Sequence, residues 1–173
     1  TVGIAFAENL LTLFVFYELL TVCTYPLVMH DGGLAVRRAG RRYLVYTLAG
    51  GTLLLAGMLL TWHATGTLSL AGNGILGGVE SRATLAAIFV LLVAGFGVKA
   101  AIMPLHAWLP AAMVAPVPVS ALLHAVAVVK AGVFGLLRVV YHVFGVDLMR
   151  ELGFASALAV VAGVTIIVAS VVA

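Results

Sequence analysis

Residues 95–138 read GFGVKAAIMPLHAWLPAAMVAPVPVSALLHAVAVVKAGVFGLLR. This stretch is apolar enough to cross a bilayer, yet it carries two lysines and two histidines, namely Lys99, His106, His124 and Lys130. It also carries the prolines Pro104, Pro110, Pro116 and Pro118, and proline breaks or kinks a helix because it has no amide donor and clashes with the preceding turn. Ionisable side chains at membrane depth are costly and usually mark a functional site. Broken helices beside such charges are typical of transporters.

The composition places the whole chain in a membrane. Of its 173 residues, 64% are hydrophobic and 9% are charged, and the mean hydropathy is +1.25. A soluble domain has about 25% charged residues. The net charge of +3 does not indicate nucleic-acid binding, because basic and aromatic residues are not interleaved. We therefore expect the lipid bilayer as a partner and no nucleic acid.

Hydropathy predicts five spans, since each crossing needs about 20 apolar residues. They cover residues 9–29, 43–62, 83–115 (broken at Pro104), 116–141 and 154–173. The predicted fold is an all-α integral membrane bundle with one proline-broken transmembrane helix, in which residues 1–173 form a single transmembrane domain. The chain has no initiating Met and ends inside an apolar run, so we expect it to be a piece of a longer subunit.

A polar loop, HDGGLAVRRAGRR, is predicted at residues 30–42. It contains four arginines: Arg37, Arg38, Arg41 and Arg42. Because cytoplasmic loops are enriched in lysine and arginine, we expect this loop on the cytoplasmic side of a bacterial or archaeal inner membrane.

The first predicted span places Glu18 near its middle. A midplane carboxylate paired with a cation from another helix is one interpretation, and a neutral, hydrogen-bonded structural acid is the other. One acid together with Lys99 and Lys130 cannot all be charged cheaply at membrane depth. Burial disfavours a charged lysine, whereas a neighbouring carboxylate favours it. Lys99 is therefore a candidate for switching between its charged and neutral forms.

The fourth predicted span carries His124 and Lys130. They are separated by about 9 Å along a helix axis and by roughly 120° around it, so they do not share one face. Neighbouring helices and water would have to connect them. His106 follows Pro104 closely and is an additional candidate site residue. Its role is either structural, at the break, or functional, in proton transfer.

No cofactor or metal site is predicted. The single cysteine, Cys23, lies in an apolar segment, and no Cys/His cluster has metal-ligand spacing. The glycines of residues 72–78, GNGILGG, lack the lysine and hydroxyl residue of a phosphate-binding loop. We also find no nucleophile–base pair, so the chain is not expected to be catalytic by itself.

The motif that begins at Lys99 resembles the core motif of the antiporter-like membrane subunits. This family contains the large proton-pumping subunits of respiratory complex I, subunits of Mrp-type sodium/proton antiporters and equivalent subunits of membrane-bound hydrogenases. The shared pattern, K-x-x-x-x-P-x-H-x-W-L-P-x-A-M-x-x-P-x-P-V-S-A-L-x-H, covers residues 99–124 and is long and specific. Less strongly, residues 9–25 resemble the family helix that holds a buried glutamate.

The resemblance implies roles for individual residues. Glu18 and Lys99 match the family's buried proton-carrying pair, whereas His124 and Lys130 match positions of its central polar axis. It also implies a helix broken at the motif and an inverted-repeat transporter fold, of which this sequence matches one half.

The function implied is proton translocation, or sodium/proton exchange, through a membrane half-channel in a subunit of a multi-subunit respiratory complex. Any oxidoreductase activity, of the NADH:quinone or hydrogenase kind, would belong to that complex. A secondary sodium/proton antiporter of the Mrp type is one alternative, and a scaffold subunit without transport is another. The partners implied are other membrane subunits and the transported ions, which are protons alone or protons and sodium.

Overall fold

The fold was obtained as a computed structural model, which describes residues 1–30, 32–113 and 115–172. Asp31, in the predicted loop, and Val114 and Ala173, in the third and fifth predicted spans, lie outside the described residues. All regular elements in the described part are helices, which confirms the all-α prediction. They are α1 (Val2–Ala5), α2 (Leu10–Val28), α3 (Leu34–Thr65), α4 (Arg82–Ala100), α5 (Trp108–Ala112), α6 (Val117–Ala121), α7 (Val128–Arg138), α8 (Val146–Glu151) and α9 (Phe154–Val172), with π-helical turns at Leu122–Val126 and Val139–Phe144.

Five helical segments are long and apolar enough to cross a membrane. They are α2, α3, α4, the continuous segment Val117–Phe144 and residues 154–171 of α9. The predicted spans fall at these five places, although their ends are shifted. That all of residues 1–173 form one transmembrane domain stays a prediction.

The largest shift is at the start of α3. Residues 34–42, predicted as part of a polar loop, form the first turns of this 32-residue helix. Arginine, leucine and alanine are strong helix formers, so the helix continues beyond the residues that need a hydrocarbon environment. At about 1.5 Å per residue α3 is roughly 48 Å long, whereas the hydrocarbon core is about 30 Å thick. The four arginines therefore lie on a helical extension and not in a loop.

The broken helix is shorter than predicted. Its first piece, α4, ends at Ala100, and the next residue, Ala101, has a left-handed φ of 56°. Pro104 has no amide hydrogen to donate to the carbonyl of Ala100, and its ring would clash there, so the helix cannot continue. The second piece, the part of the predicted 83–115 span that follows Pro104, is only the five residues of α5. Lys99 thus lies in the last turn before the break, as predicted.

The connection after the fourth segment also differs from the prediction. The fourth segment continues to Phe144, where Gly145 with a φ of 79° ends it. The stretch between the fourth and fifth predicted spans, residues 142–153, consequently contains the short helix α8. Between α3 and α4 the chain is irregular, and it is held to the start of α2 by the hydrogen bond from Leu10 N to Leu68 O at 2.9 Å.

Close packing of α3, α4 and α7 forms the centre of the bundle, and α2 packs against α3. Glycines permit this approach, since small residues let membrane helices come into contact. A Cβ at Gly95 of α4 would lie 2.8 Å from the backbone nitrogen of Leu54, and one at Gly132 of α7 would overlap the backbone of Ala100. This packing holds the C-terminal end of α4, with Lys99, inside the bundle.

Candidate functional site

Lys99 is completely buried although it carries an ionisable side chain. Its ammonium nitrogen Nζ lies 4.0 Å from Oε1 of Glu18 on α2. Nζ also lies 3.4 Å from the centroid of the Tyr17 ring and donates a hydrogen bond to the backbone carbonyl of Tyr17. Two consecutive residues of α2 therefore contact one lysine of α4.

Tyr17 is held in place through both its hydroxyl group and its ring. Its hydroxyl donates a hydrogen bond to the carbonyl oxygen of Gly95 at 3.1 Å. Its ring packs edge-to-face on Phe96, with centroids 5.2 Å apart. The sequence analysis missed this residue as a lysine contact. The signal available in the sequence was a tyrosine, an aromatic residue with a polar hydroxyl, directly before the glutamate near the middle of the span.

Glu18 lies between the buried lysine and the surface of the bundle. Its side chain is 23% exposed, yet Oε1 is buried and has no hydrogen-bond partner among the described residues. The carboxylate lines a cleft of about 320 Å³ between α2 and α3. Gly51 of α3 makes room for it, since a Cβ there would lie 2.6 Å from Oε1. Glu18 therefore contacts Lys99 on one side and an open cleft on the other.

The separation of this pair determines its chemistry. A distance of 4.0 Å between Nζ and Oε1 is longer than a hydrogen bond, so a proton crosses the gap only through a water molecule or after a side-chain movement. Two charges away from water attract each other strongly, but each loses its hydration. The charge on Lys99 therefore depends on the charge on Glu18, as a proton carrier requires.

The structure places His124 in the π-helical turn Leu122–Val126. Its Nε2 is buried and has no hydrogen-bond partner in the described part of the chain. π-Helical turns are rare and occur frequently at functional sites. No described hydrogen bond joins this histidine to Lys99.

Lys130 is not buried as the sequence analysis assumed. It is exposed on α7, because the face of α7 that contacts α4 is formed by smaller residues, including Ala131 and Gly132. No described carboxylate lies within 4.0 Å of Lys130. Within this chain, therefore, the structure brings together Glu18 and Lys99 but does not add Lys130 to them.

The break after α4 is held by an aromatic anchor. Trp108 is fully buried, and its Nε1 donates a hydrogen bond to the carbonyl of Val98 at 2.6 Å. His106 lies in the turn before α5, and its Nδ1 is buried without a described hydrogen-bond partner. Pro104 is exposed in the same turn. The segment after the break is thus tied to the residue that precedes Lys99.

A row of hydroxyl groups continues from Glu18 along α2. The sequence analysis did not identify these residues as part of the site. Thr21 is fully buried, and its Oγ1 has no hydrogen-bond partner among the described residues. One turn further, the hydroxyls of Thr24 and Tyr43 are 2.6 Å apart. The signal in the sequence was a threonine three and six positions after the glutamate.

Nothing in the described part of the chain groups three His, Cys, Asp or Glu side chains for a metal.

Comparison with known families gives a match over almost the whole chain. The profile described as "NADH:quinone oxidoreductase/Mrp antiporter, TM" matches residues 7–173. Among curated proteins, the chain is 36% identical over 141 residues to the putative antiporter subunit mnhA2 of Staphylococcus aureus strain MRSA252, and 37% identical over 143 residues to the protein of the same name from Staphylococcus saprophyticus. Each match covers 79% of this chain but 17% of the relative. The chain thus spans about a sixth of the length of these relatives.

Solved structures show the same likeness. A chain of the Mrp complex from Dietzia sp. DQ12-45-1b is 38% identical with a TM-score of 0.74, over 87% of this chain and 17% of that one. A chain of an archaeal membrane-bound sulfane sulfur reductase is 30% identical with a TM-score of 0.73, over 79% of this chain and 28% of that one. A chain of respiratory complex I from Thermus thermophilus is 31% identical with a TM-score of 0.68, over 79% of this chain and 30% of that one.

Proposed function

Because this chain belongs to the NADH:quinone oxidoreductase/Mrp antiporter transmembrane family, we propose that it is the part of an antiporter-like subunit that moves protons, or exchanges sodium ions for protons. The observation that carries the proposal is Lys99, which is fully buried with its ammonium nitrogen 4.0 Å from the carboxylate of Glu18. A buried charge of this kind is costly and is retained where it moves ions or protons.

The transfer step follows from the two sides of Glu18. While the carboxylate is ionised, it stabilises the ammonium of Lys99. When a proton reaches Glu18 from the cleft between α2 and α3, the ammonium loses its counter-charge and releases one proton from Nζ, becoming a neutral amine. Glu18 then passes its proton through a bridging water to the neutral amine, which restores both charges. One proton passes Lys99 in each cycle.

His124 is the proposed receiver of the proton that leaves Lys99. Its Nε2 is buried and unpartnered within the described residues, so it can accept a proton from a bridging water. Lys130 is proposed as the next station, and its exposed side chain on α7 would then face another part of the assembly. His106, beside the break, is proposed as a group that lines the path, and Pro104 as the residue that holds the break open.

The proposed partners are other membrane subunits. The relatives and structural neighbours are a putative antiporter subunit and chains of an Mrp complex and two respiratory complexes. The cleft that exposes Glu18 opens on the outer surface of α2 and α3, where a neighbouring subunit could cover it. We propose the cell membrane as the location, with the arginine-bearing extension of α3 on the cytoplasmic side. A redox-driven pump is the principal proposal, and the Mrp-type antiporter is the second candidate, supported by the antiporter relatives.

The test is ion flux in vesicles that contain the complete complex. Glu18→Gln and Lys99→Ala should both assemble and lose proton flux, whereas Glu80→Gln, a change at an exposed loop position, should pump normally. Flux that requires sodium would identify the antiporter, and flux that requires an electron donor would identify the redox pump. Normal transport by both variants would favour the scaffold interpretation.

A further inference from the structure

Two adjoining pockets surround the arginines at the start of α3. One, of about 320 Å³, is lined by Arg38, Arg41, Arg42, Val45 and Tyr46. The other, of about 340 Å³, is lined by Ala35, Arg38, Ala39, Arg42 and Ala111. Arg38 and Arg42 lie between the two pockets and contribute to both.

The charge of this surface is unbalanced within the described residues. Arg38, Arg41 and Arg42 share one helix face, since residues three and four apart are neighbours, and like charges at this spacing destabilise a helix. The first turn of α3 has no acidic residue. No described carboxylate is within 4.0 Å of them, and Asp31 lies outside the described residues. An anion bound here would relieve the repulsion.

An apolar groove continues from the first pocket towards the middle of the membrane. Val45 and Tyr46 line both, and the groove of about 190 Å³ is completed by Ala49, Gly50, Leu53, Val98 and Leu105. No charged side chain lines it. From residue 45 to residue 53 it follows α3 for about 12 Å, which suits part of one acyl chain.

The arginine-lined pockets and the apolar groove lie at different depths, which agree with the head-group and hydrocarbon layers of a bilayer. The first turns of α3 extend beyond the apolar residues, so the arginines lie at the level of the head groups. Tyr46, which lines both the first pocket and the groove, follows the arginines, and tyrosine is enriched at the membrane interface. Below them the groove is at the level of the hydrocarbon.

We propose that this surface is a binding site for an anionic phospholipid. The guanidinium groups of Arg38 and Arg42 bind the phosphate, since arginine presents paired donors that match phosphate oxygens. One acyl chain lies in the groove between α3 and α4, against Val98. The groove selects a lipid over a free phosphate ion, which would use the arginines alone. This site does not depend on the proposed transport function.

The test uses site-specific photo-crosslinking in the complete complex. Leu53 is replaced by its diazirine analogue, and the complex is reconstituted in phosphatidylcholine vesicles with a minor fraction of phosphatidylglycerol. Mass spectrometry of the labelled peptide then measures the lipid adducts. We expect phosphatidylglycerol to be enriched several-fold over its share of the vesicle. The Arg38→Gln/Arg42→Gln variant should abolish this preference, so that phosphatidylglycerol adducts fall to its share of the vesicle, because both basic residues that attract the anionic lipid are lost.

Three controls decide the outcome. The same analogue at Leu59, on an exposed part of α3 outside the groove, should show no preference, and Arg150→Gln should leave the adduct at position 53 unchanged. If the double variant does not assemble, Arg38→Lys/Arg42→Lys keeps the charge, loses the paired donors and should reduce the preference several-fold. Adducts in proportion to the vesicle lipids, adducts to another protein chain, or loss of the preference on addition of inorganic phosphate would each overturn the proposal.

Discussion

The ammonium nitrogen of Lys99 lies 3.4 Å from the centre of the Tyr17 ring, and it donates a hydrogen bond to the carbonyl oxygen of the same residue. The lysine is therefore held on α2 by a ring and a backbone atom, in addition to the carboxylate of Glu18. A cation over an aromatic ring gains about 2 kcal/mol when it is removed from water. Tyr17 thus positions the charged lysine, while Glu18 is left free to change its own charge.

Tyr17→Leu should lower proton flux several-fold, because the ring beneath Lys99 is lost. Tyr17→Phe keeps the ring and loses only the hydroxyl bond to Gly95, which is worth about 1 kcal/mol of stability, so its flux should stay near that of the wild type. Flux assays in vesicles and thermal unfolding in detergent measure the two effects. Wild-type flux in the leucine variant would show that the ring has no positioning role.

Gly51→Ala should abolish transport while leaving the complex assembled. The added Cβ would lie 2.6 Å from Oε1 of Glu18, so the carboxylate has to leave its position near Lys99. Gly163→Ala is the matched control, since a Cβ on that α9 residue meets nothing within 4 Å. Equal flux in the two variants would contradict the idea that Glu18 must keep this position.

Much of the fold could be predicted from the sequence, because hydrocarbon thickness fixes how many apolar residues a span needs. The break was also predictable, since Pro104 cannot supply the amide hydrogen for the carbonyl of Ala100. The start of α3 could not be predicted, because hydropathy reports where a chain leaves the hydrocarbon and not where its helix begins. Arginines that favour helix formation continue α3 beyond its apolar residues.

The candidate site was predicted less completely. Glu18 and Lys99 stood out because an ionisable residue in an apolar run is rare, and the structure brings them together. Lys130 stood out for the same reason, but whether it is buried depends on which face of α7 packs on α4, and a periodicity argument does not contain that information. The contact between Lys99 and Tyr17 joins two helices far apart in sequence, so only tertiary packing could reveal it.

Trp108→Phe should destabilise the protein by roughly 2 kcal/mol, from a lost hydrogen bond and a smaller buried side chain. The indole now donates to the carbonyl of Val98 and holds the segment after the break. Trp62→Phe serves as a control because Trp62 is 57% exposed and should have almost no effect. Thermal unfolding of the two purified variants measures the difference, and equal melting temperatures would show that Trp108 is not an anchor.

The arginine-bearing end of α3 should be cytoplasmic and its other end external. In a Cys23→Ser background, Ala71→Cys should react with a membrane-impermeant thiol reagent on intact cells. Ala35→Cys should react only after the cells are opened. The expectation follows from the enrichment of arginine on the cytoplasmic side, and the reverse labelling pattern would invert the proposed orientation.

The most direct test of the account is a double-mutant cycle on proton flux, with Glu18→Gln, Lys99→Ala and the double variant in the complete complex. Residues that act as one transfer unit are not additive, so the double variant should be no slower than the slower single variant. Independent, multiplicative losses in flux, or wild-type flux in either single variant, would contradict the claim that Glu18 and Lys99 carry the proton together.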